Sequence, residues 1–157
     1  MAKKTFNEKL KEDKGFPKVQ PLTAGMKKRF GEGTILLPSA KEIFDLMQAV
    51  PQGKVMTVNQ IRVHLAQRHN ATMACPIVTG IYARIVAGAA GEDLAAGKKR
   101  VVPFWRTVKS KGDLNPKYPG GVEEQQRLLE AEGVMCEARG KRVVVCDFER
   151  FLMNNIG

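Results

Sequence analysis

The stretch that decides the fold is PQGKVMTVNQI at residues 51–61, a turn followed at once by a helix start. Thr57 and Gln60 form a capping-box pattern, in which the threonine hydroxyl accepts the backbone N–H three residues later and the glutamine returns the bond. Ile61 and Leu65 follow at helical spacing. We therefore predict that a helix begins after Thr57 and buries this apolar stripe.

A second helix is predicted directly upstream of this turn. Ser39 and Glu42 repeat the capping-box pattern, and four apolar residues follow at the i, i+3, i+4 and i+7 spacing of an amphipathic helix. These apolar residues are Ile43, Leu46, Met47 and Val50. Pro51 and Gly53 end the pattern, so the helix is expected over roughly residues 40–50.

A third helix is predicted to begin at Pro76, because the missing N–H of proline would be unpaired in a first helical turn anyway. It is expected to run to about Ala90. The side chains expected to mark its buried face are Ile77, Ile81 and Ile85. Two capped helices joined by the short polar segment 68–72 favour a helix-turn-helix or winged-helix arrangement, although ordinary helical hairpins share this spacing.

The C-terminal part of the chain predicts a further helix and a hairpin. Residues 122–132 have helical spacing and end at Gly133, and the segments 134–138 and 143–147 flank a turn of glycine and basic residues. Asp147 is expected to cap a short terminal helix. The predicted fold class is therefore α+β, mostly helical, with a winged-helix-like helix-turn-helix and a short C-terminal β-hairpin.

Residues 1–33 differ in composition from the rest, because lysine and arginine alternate there with glycine and proline. We interpret them as a basic, largely irregular N-terminal arm with a short helix near Phe6–Lys11. Residues 34–157 are then the folded domain. Such an arm is either a solvated tail or a clamp on DNA.

The chain of 157 residues has 26 Lys and Arg against 16 Asp and Glu, a formal net charge of +10. This surplus favours a polyanionic partner, with nucleic acid ahead of a membrane. The length excludes a large multidomain enzyme. No stretch has the roughly 20 apolar residues of a membrane span, and the first residues lack the apolar core of a signal peptide. We therefore expect a cytoplasmic protein.

The three cysteines, Cys75, Cys136 and Cys146, form no C-x-x-C pair and stand apart from His64 and His69. This spacing is not that of a structural zinc site, and an odd number of thiols fits a reducing compartment. No metal and no cofactor are therefore expected.

Four segments resemble the DNA-binding domain of the O6-alkylguanine-DNA alkyltransferases, in the order of that family and at compatible spacing. Residues 51–61 resemble its P-x-G-x-V-x-S/T-Y-G-x-I/L segment, and residues 103–108 (PFWRTV) occupy the place of P-C-H-R-V-V/I. Residues 118–121 (YPGG) match Y-x-G-G, and residues 128–133 (LLEAEG) match L-L-x-x-E-G. The resemblance covers roughly residues 36–135.

The resemblance implies a winged-helix-like domain that enters the minor groove and flips an alkylated guanine into a pocket. In the enzymes of the family a cysteine thiolate then takes the alkyl group, which requires a low-pKa anion. Here Phe104 stands at the cysteine position and Trp105 at the histidine position. Glu132 matches the carboxylate of the proton relay but is left with nothing to polarise. Alkyl transfer by the family mechanism is therefore not expected, and no residue is assigned as catalytic.

The alkyltransferase-like branch of the family also lacks the cysteine, has tryptophan in its place, and binds alkylated DNA as a marker of damage. By this resemblance Phe104 would stack on a flipped base. Trp105, Tyr118, Gly120 and Gly121 would shape the rest of the lesion pocket. Alternatively, Phe104 and Trp105 fill the pocket as core side chains.

Six residues around the helix-turn-helix and the 103–108 segment are the predicted DNA contacts, because phosphate binding needs only positive charge and hydrogen-bond donors. They are Lys54, Thr57, Thr72, Thr79, Arg84 and Arg106. Arg106 is also expected to bond local carbonyls, as the family's arginine does. Two departures weaken base flipping: the family's tyrosine is Val58 here, and no arginine finger is evident near Pro76.

The leading hypothesis is a non-catalytic DNA-binding protein of the alkyltransferase-like kind, which recognises O6-alkylguanine or a related lesion in double-stranded DNA for repair. We expect a monomer with a repair protein as a further partner. The first alternative is a lesion-independent DNA-binding regulator or architectural module. The second is an alkyltransferase that uses a different cysteine, of which Cys75 is the nearest candidate.

Overall fold

The computed structural model describes residues 4–12 and 14–153, which form a mixed α+β fold with helices predominating. The helices are α1 (Phe6–Leu10), α2 (Ala24–Phe30), α3 (Ala40–Gln48), α4 (Val58–Arg68), α5 (Pro76–Ala95), α6 (Gly121–Glu130) and α7 (Phe148–Phe151). The strands are β1 (Lys18–Pro21), β2 (Thr34–Leu37), β3 (Met56–Thr57), β4 (Met73–Ala74), β5 (Thr107–Val108), β6 (Cys136–Arg139) and β7 (Arg142–Val145). The predicted α+β class is confirmed, and the winged-helix form of α4 and α5 stays a prediction.

The turn at residues 51–61 has the structure that its capping pattern predicts. The Gln60 N–H donates to the Thr57 hydroxyl at 3.0 Å, and the Thr57 N–H donates to the Gln60 side-chain oxygen at 2.9 Å. Ser39 and Glu42 form the same pair of bonds at the start of α3. Each box satisfies two backbone donors that a first helical turn leaves unpaired, so both helices begin where predicted.

Within residues 4–12 and 14–153, three small sheets pack around the helices. β1, β2 and β4 form one sheet, in which β1 is antiparallel and β4 parallel to β2. β3 and β5 pair in parallel, which brings the start of α4 beside the segment that follows Arg106. β6 and β7 form the predicted C-terminal hairpin, with Cys136 opposite Val145 and Arg139 opposite Arg142.

The main core lies between α3, α4 and α5. Its fully buried side chains include Ile43 and Met47 from α3, Ile61 and Leu65 from α4, and Val86 from α5. A second core lies under the hairpin. It consists of Val55, Val108, Leu114, Leu129, Val134 and Val145. The stripes predicted for α3 and α4 therefore do face the interior.

The buried face of α5 is not the predicted one. Ile77 is 71% exposed and Ile81 is 51% exposed, whereas the third predicted residue, Ile85, is half-buried against the main core. The buried residues of α5 are mostly small: Thr79, Tyr82, Ala83, Val86, Ala87, Gly88, Ala89 and Ala90. Small side chains let neighbouring helices pack closely, which a row of isoleucines would prevent. The helix begins at Pro76 as predicted but continues past Ala90 to Ala95.

The N-terminal segment, residues 1–33, is more ordered over its described part than the expected irregular arm. α1 occupies the expected place of a short helix and lies against α5, where the Phe6 N–H donates to the Glu92 carboxylate at 2.8 Å. Leu10 and Phe16 pack against the main core. The ordering contacts come from residues far along the chain, so local composition could not reveal them.

The start of α7 differs from its predicted capping. Asp147 precedes the helix, but its side chain makes no capping hydrogen bond and its φ of 51° lies in the left-handed region. An N-cap residue needs extended backbone angles to turn its side chain toward the free N–H groups of the first turn. The hairpin sets a different conformation at this residue, so its carboxylate cannot cap α7.

Candidate functional site

Within the PFWR segment, Phe104–Arg106 form a single 3₁₀ turn against the main core, and Pro103 precedes it. Phe104 is 1% exposed, and its ring meets Trp105 and Tyr118 edge to face at centroid distances of 5.3 and 5.8 Å. Edge-to-face contact is a favoured geometry for aromatic pairs. Phe104 therefore fills its position as a core side chain, and Trp105 lies half-buried beside it.

Glu132 is the polar centre of this region. The Trp105 indole N–H donates to Glu132 Oε2 at 3.0 Å, and Arg106 donates to the same oxygen through Nη2 at 2.6 Å. The Arg106 Nη1 also donates to the Val50 carbonyl at 2.7 Å, and the Gly53 N–H reaches Glu132 at 3.4 Å. Glu132 thus joins the end of α6, the 3₁₀ turn and the turn before β3.

These contacts set the charge state of Glu132. Burial alone would raise the pKa of the carboxyl group, but hydrogen bonds from Arg106 and Trp105 outweigh burial and lower it. The expectation that Glu132 has nothing to polarise is therefore incomplete. The Glu132 carboxylate accepts hydrogen bonds from the Trp105 indole and the Arg106 guanidinium and so holds both side chains in place.

Gln125 is a positioning residue that the sequence analysis missed. It is fully buried on α6, and its amide donates to the carbonyls of Trp105 at 3.2 Å and Thr107 at 3.3 Å. Its oxygen accepts the Asn115 N–H at 2.8 Å. The signal was present in the sequence, because Gln125 occupies an apolar position between Val122 and Leu129 in the helical spacing of α6.

An open cleft of about 640 Å³ adjoins the 3₁₀ turn. Phe104, Trp105 and Gly120 line it, so three of the five predicted pocket residues lie together there. Tyr118 and Gly121 do not line the cleft. Its border also contains basic side chains: Lys99, Arg100 and Arg127. The cleft combines an aromatic wall with a cationic margin, a combination suited to a base and its phosphates.

The turn at residues 118–121 forms part of the cleft wall through Pro119 and Gly120 and leads into α6. Gly120 and Gly121 have φ of 78° and 72°, and a Cβ at Gly120 would lie 2.5 Å from the Cβ of Glu124. The Y-x-G-G segment therefore needs both glycines to enter α6. It holds Tyr118 against Phe104, and burial there raises the pKa of the Tyr118 hydroxyl.

Three of the six predicted DNA contacts lie on the surface. Lys54, Thr72 and Arg84 are exposed. The Thr72 hydroxyl already accepts the Thr34 N–H at 2.9 Å, so it has one remaining lone pair and one proton to offer. Lys54 and Arg84 can reach phosphates without losing a contact within the described chain.

The other three predicted contacts have structural roles. Thr57 is buried, and its hydroxyl caps α4. Thr79 is fully buried and donates its hydroxyl to the Cys75 carbonyl at 2.7 Å. Arg106 is committed to Glu132 and to a backbone carbonyl, as the family arginine is expected to be. The hydroxyl groups of Thr57 and Thr79 and the guanidinium of Arg106 are therefore engaged within the fold.

The Cys136 and Cys146 thiols lack the lowered pKa of an activated nucleophile. Burial raises the pKa of Cys136 to about 12 and also raises the pKa of Cys146. Cys75 stands at the N-cap of α5, where its side chain forms no capping bond.

Among the described residues, no group of three or more His, Cys, Asp and Glu could hold a metal ion. No helix in the described ranges is long and apolar enough to cross a membrane.

A comparison with known proteins matches the part of the chain that contains the cleft and the capped helices. A family model of the DNA-binding domain of 6-O-methylguanine DNA methyltransferase matches residues 38–134, more than half of the chain. No curated protein matches. The matched range begins just before α3 and ends just after Glu132, so it contains the two capping boxes, α5, the 3₁₀ turn and the cleft.

Two solved structures from S. pombe are similar to this chain. One is Atl1 in complex with damaged DNA containing O6-carboxymethylguanine, which is 19% identical, with a TM-score of 0.51 over 74% of this chain and 94% of that chain. The other is ATL in complex with DNA, which is 20% identical, with a TM-score of 0.49 over the same shares. The first likeness shows a shared fold.

Proposed function

Because this chain belongs to the family of the 6-O-methylguanine DNA methyltransferase DNA-binding domain, we propose that it is a non-catalytic protein that binds O6-alkylguanine or a related lesion in duplex DNA for repair. The observation that carries the proposal is the cleft of about 640 Å³ beside Phe104. Ligand clefts of a few hundred Å³ enclose molecules the size of a base. S. pombe Atl1 binds DNA containing O6-carboxymethylguanine, and we propose the same class of ligand here.

The proposal of binding without chemistry rests on the side chains at the reacting position. Phe104 has no group that attacks an alkyl carbon, and the Trp105 indole N–H is committed to Glu132. Cys136 and Cys146 have raised thiol pKa values, so both are protonated near neutral pH. The histidines contact Arg68 and Glu42 and are not placed to activate a thiol.

Lesion recognition would depend on stacking and on the cationic margin of the cleft. A base that enters the cleft can stack on Trp105, and each such stacking contact contributes about 1–3 kcal/mol. Arg127 is partly neutralised by its ion pair with Glu124. Lys99 and Arg100 are exposed and are therefore the main candidates to bind the flanking phosphates.

The exposed cations also support the lesion-independent alternative. Lys54, Arg84, Lys99 and Arg100 would bind any duplex through its phosphates, and Phe104 leaves less room at the former reacting position than a cysteine would. This candidate and lesion recognition predict the same salt dependence. They differ in whether an alkylated duplex binds more tightly than an unmodified one.

The test is a titration of the purified chain with two duplexes that differ only in one O6-methylguanine, followed by fluorescence anisotropy at two salt concentrations. We expect the methylated duplex to bind about tenfold more tightly, which corresponds to 1.4 kcal/mol. Intact-mass analysis after incubation should show no added methyl group. Equal affinities would select the lesion-independent module, and a mass gain that is lost in Cys75→Ala would select an alkyltransferase.

A matched pair of variants locates the contact. Replacing Lys99 and Arg100 with alanine should weaken binding to both duplexes and reduce its salt dependence, because two phosphate contacts are lost. Lys141→Ala is the control, since Lys141 is an exposed cation in the hairpin turn, away from the cleft. An equal loss in the control would mean that general charge, rather than the cleft margin, governs binding.

We propose the cytoplasm as the compartment, because all three cysteines are free thiols.

A further inference from the structure

A hairpin that ends in a short basic helix lies outside the range matched by the family model. β1 pairs antiparallel with β2, and the last pair before the connection is Pro21 opposite Thr34. Residues 22–33 connect the two strands and contain α2, and we call them the basic tip. The matched range, residues 38–134, begins only after β2. The family domain therefore does not account for this hairpin.

The basic tip presents its helix to solvent. α2 has seven residues, and none of their side chains is buried. The Leu22 N–H donates to the Gly33 carbonyl at 3.0 Å and closes the base of the tip, while the Thr23 hydroxyl accepts the Met26 N–H at 3.4 Å and caps α2. Isolated helices of this length are marginal in water, and most helices in proteins are stabilised by burying an apolar face. α2 buries no such face against the described chain.

Positive charge is concentrated in this part of the chain. The first 33 residues contain nine Lys and Arg against four Asp and Glu, a surplus of five, which is half of the formal net charge of +10. On α2, Lys27 pairs with Glu32 at 3.4 Å. Lys28 and Arg29 are exposed and form no ion pair with any residue in the described ranges. Two unpaired cations on an exposed helix complement a polyanion.

The base of the tip lies beside the turn between α4 and α5. β2 pairs in parallel with β4, which leads directly into α5. The Thr34 N–H donates to the Thr72 hydroxyl at 2.9 Å, and the Thr72 N–H donates to the Thr34 hydroxyl at 3.2 Å. A Cβ at Gly33 would clash with the Thr72 side chain, so the two segments are in close contact. The tip therefore adjoins Thr72, an exposed residue among the predicted DNA contacts.

We propose that the basic tip is an accessory DNA-binding element, in which Lys28 and Arg29 bind backbone phosphates of the duplex that the family domain binds. Such contacts add affinity without reading sequence. At 1.5 Å per residue α2 is about 10 Å long, which corresponds to about three base pairs. An acidic protein would also complement the two cations, but the contact with the Thr72 turn favours the duplex. The proposal rests on the proposed DNA binding and adds a lesion-independent contact to it.

The first test is the salt dependence of binding, measured by fluorescence anisotropy on an unmethylated duplex of about 20 base pairs, or two helical turns. The double variant Lys28→Ala with Arg29→Ala should bind about tenfold more weakly than the unsubstituted chain. The slope of log affinity against log salt should become shallower by about two, because two phosphate contacts are lost. An unchanged affinity and slope would overturn the proposal.

The matched control removes the same two charges from another surface. Lys141 and Arg150 are exposed, and the Arg150 guanidinium lies over the Phe151 ring much as the Arg29 guanidinium lies over the Phe30 ring. Lys141→Ala with Arg150→Ala should leave the slope nearly unchanged, and circular dichroism should show native helicity in both double variants. An equal change of slope in the control would mean that total charge governs binding, and the tip would not be a specific contact.

A photochemical cross-link tests proximity without removing a charge. Phe30 is 51% exposed and adjoins Arg29, so p-benzoylphenylalanine replaces it without disturbing the core. Irradiation in the presence of the duplex should give a covalent protein–DNA adduct on a denaturing gel. The same replacement at Met135, which is 54% exposed and lies outside the tip, should give none. An adduct from position 135 without one from position 30 would overturn the proposal.

The outcomes distinguish the tip from the proposed function. Loss of Lys28 and Arg29 should weaken binding to the O6-methylguanine duplex and to the unmethylated duplex by the same factor. If the unsubstituted chain binds both duplexes equally and the tip variant still weakens binding, then lesion recognition is wrong and the tip contact stands. If the tip variant binds both duplexes as the unsubstituted chain does, and position 30 gives no adduct, then the tip contact is wrong and the proposed function stands.

Discussion

The Phe104 turn and the outer face of α5, which carries the exposed Ile77 and Ile81, reverse the roles that their sequences suggest. By resemblance the turn occupies the place of a reactive segment, yet the Phe104 ring is buried and the side chains of Trp105 and Arg106 are held by Glu132. The outer face has isoleucines at core-like spacing, yet they lie in solvent. The comparison teaches that residue type and spacing do not by themselves show which of these two segments is core and which is surface.

The largest expected effect comes from Phe104→Ala. Removing a fully buried aromatic ring leaves a cavity beneath Trp105 and Tyr118, and we expect a loss of about 4 kcal/mol in the free energy of unfolding. Urea denaturation measures it. Phe30→Ala is the matched control, because Phe30 is 51% exposed and should lose less than about 1 kcal/mol. A similar small loss at Phe104 would mean that the ring only lines the cleft.

The next effect tests the polar half of the same region. Glu132→Gln should destabilise the chain by about 3 kcal/mol, because it leaves the largely buried Arg106 guanidinium without its carboxylate. Glu137→Gln is the control, since the Glu137–Arg139 pair is exposed and contributes at most about 1 kcal/mol. Equal losses in the free energy of unfolding for the two substitutions, measured by urea denaturation, would contradict a stabilising role for the Glu132–Arg106 pair.

The pH dependence of stability should separate Glu132 from its amide variant. The pKa of Glu132 is lowered in the folded chain, so its stabilisation is present above the ordinary value of 4.5 and is lost as pH falls through the lowered folded value. The difference in thermal midpoint between the unmodified chain and Glu132→Gln should therefore shrink below pH 4.5. A difference that stays constant from neutral to acid pH would contradict an ionised, paired carboxylate.

The smallest effect is expected on the outer face. Ile81→Ala should change the free energy of unfolding by less than about 0.5 kcal/mol, because the side chain is already in water. Val86→Ala, on the buried face of the same helix, should cost about 2 kcal/mol. Thermal unfolding compares the two. If Ile81→Ala costs as much as Val86→Ala, then the face assignment of α5 is reversed.

Local sequence signals predicted the parts of the fold that local contacts determine. The boxes at Ser39 and Thr57 each involve residues three positions apart, and Pro76 marks a helix start by its own chemistry. The face of α5 could not be predicted in this way. Its isoleucine and alanine stripes have the same period, and the choice depends on how closely α3 and α4 approach.

The same difference between local contacts and tertiary packing applies to the candidate site. The segment order predicted that Phe104, Trp105 and Gly120 would lie together. The Thr79 side chain faces inward because α5 is packed on that side and its hydroxyl donates to the Cys75 carbonyl one turn earlier. The role of Glu132 depends on its contact with Arg106, which lies 26 residues earlier in the chain. Such contacts depend on tertiary packing, which residue type and spacing do not reveal.

The proposed function is recognition of an alkylated base in duplex DNA without reaction with it. The most direct measurement is a two-colour competition, in which limiting protein partitions between an O6-methylguanine duplex and an otherwise identical unmodified duplex at equal concentrations. We expect about tenfold more protein on the methylated duplex. Equal partition between the two duplexes would contradict it.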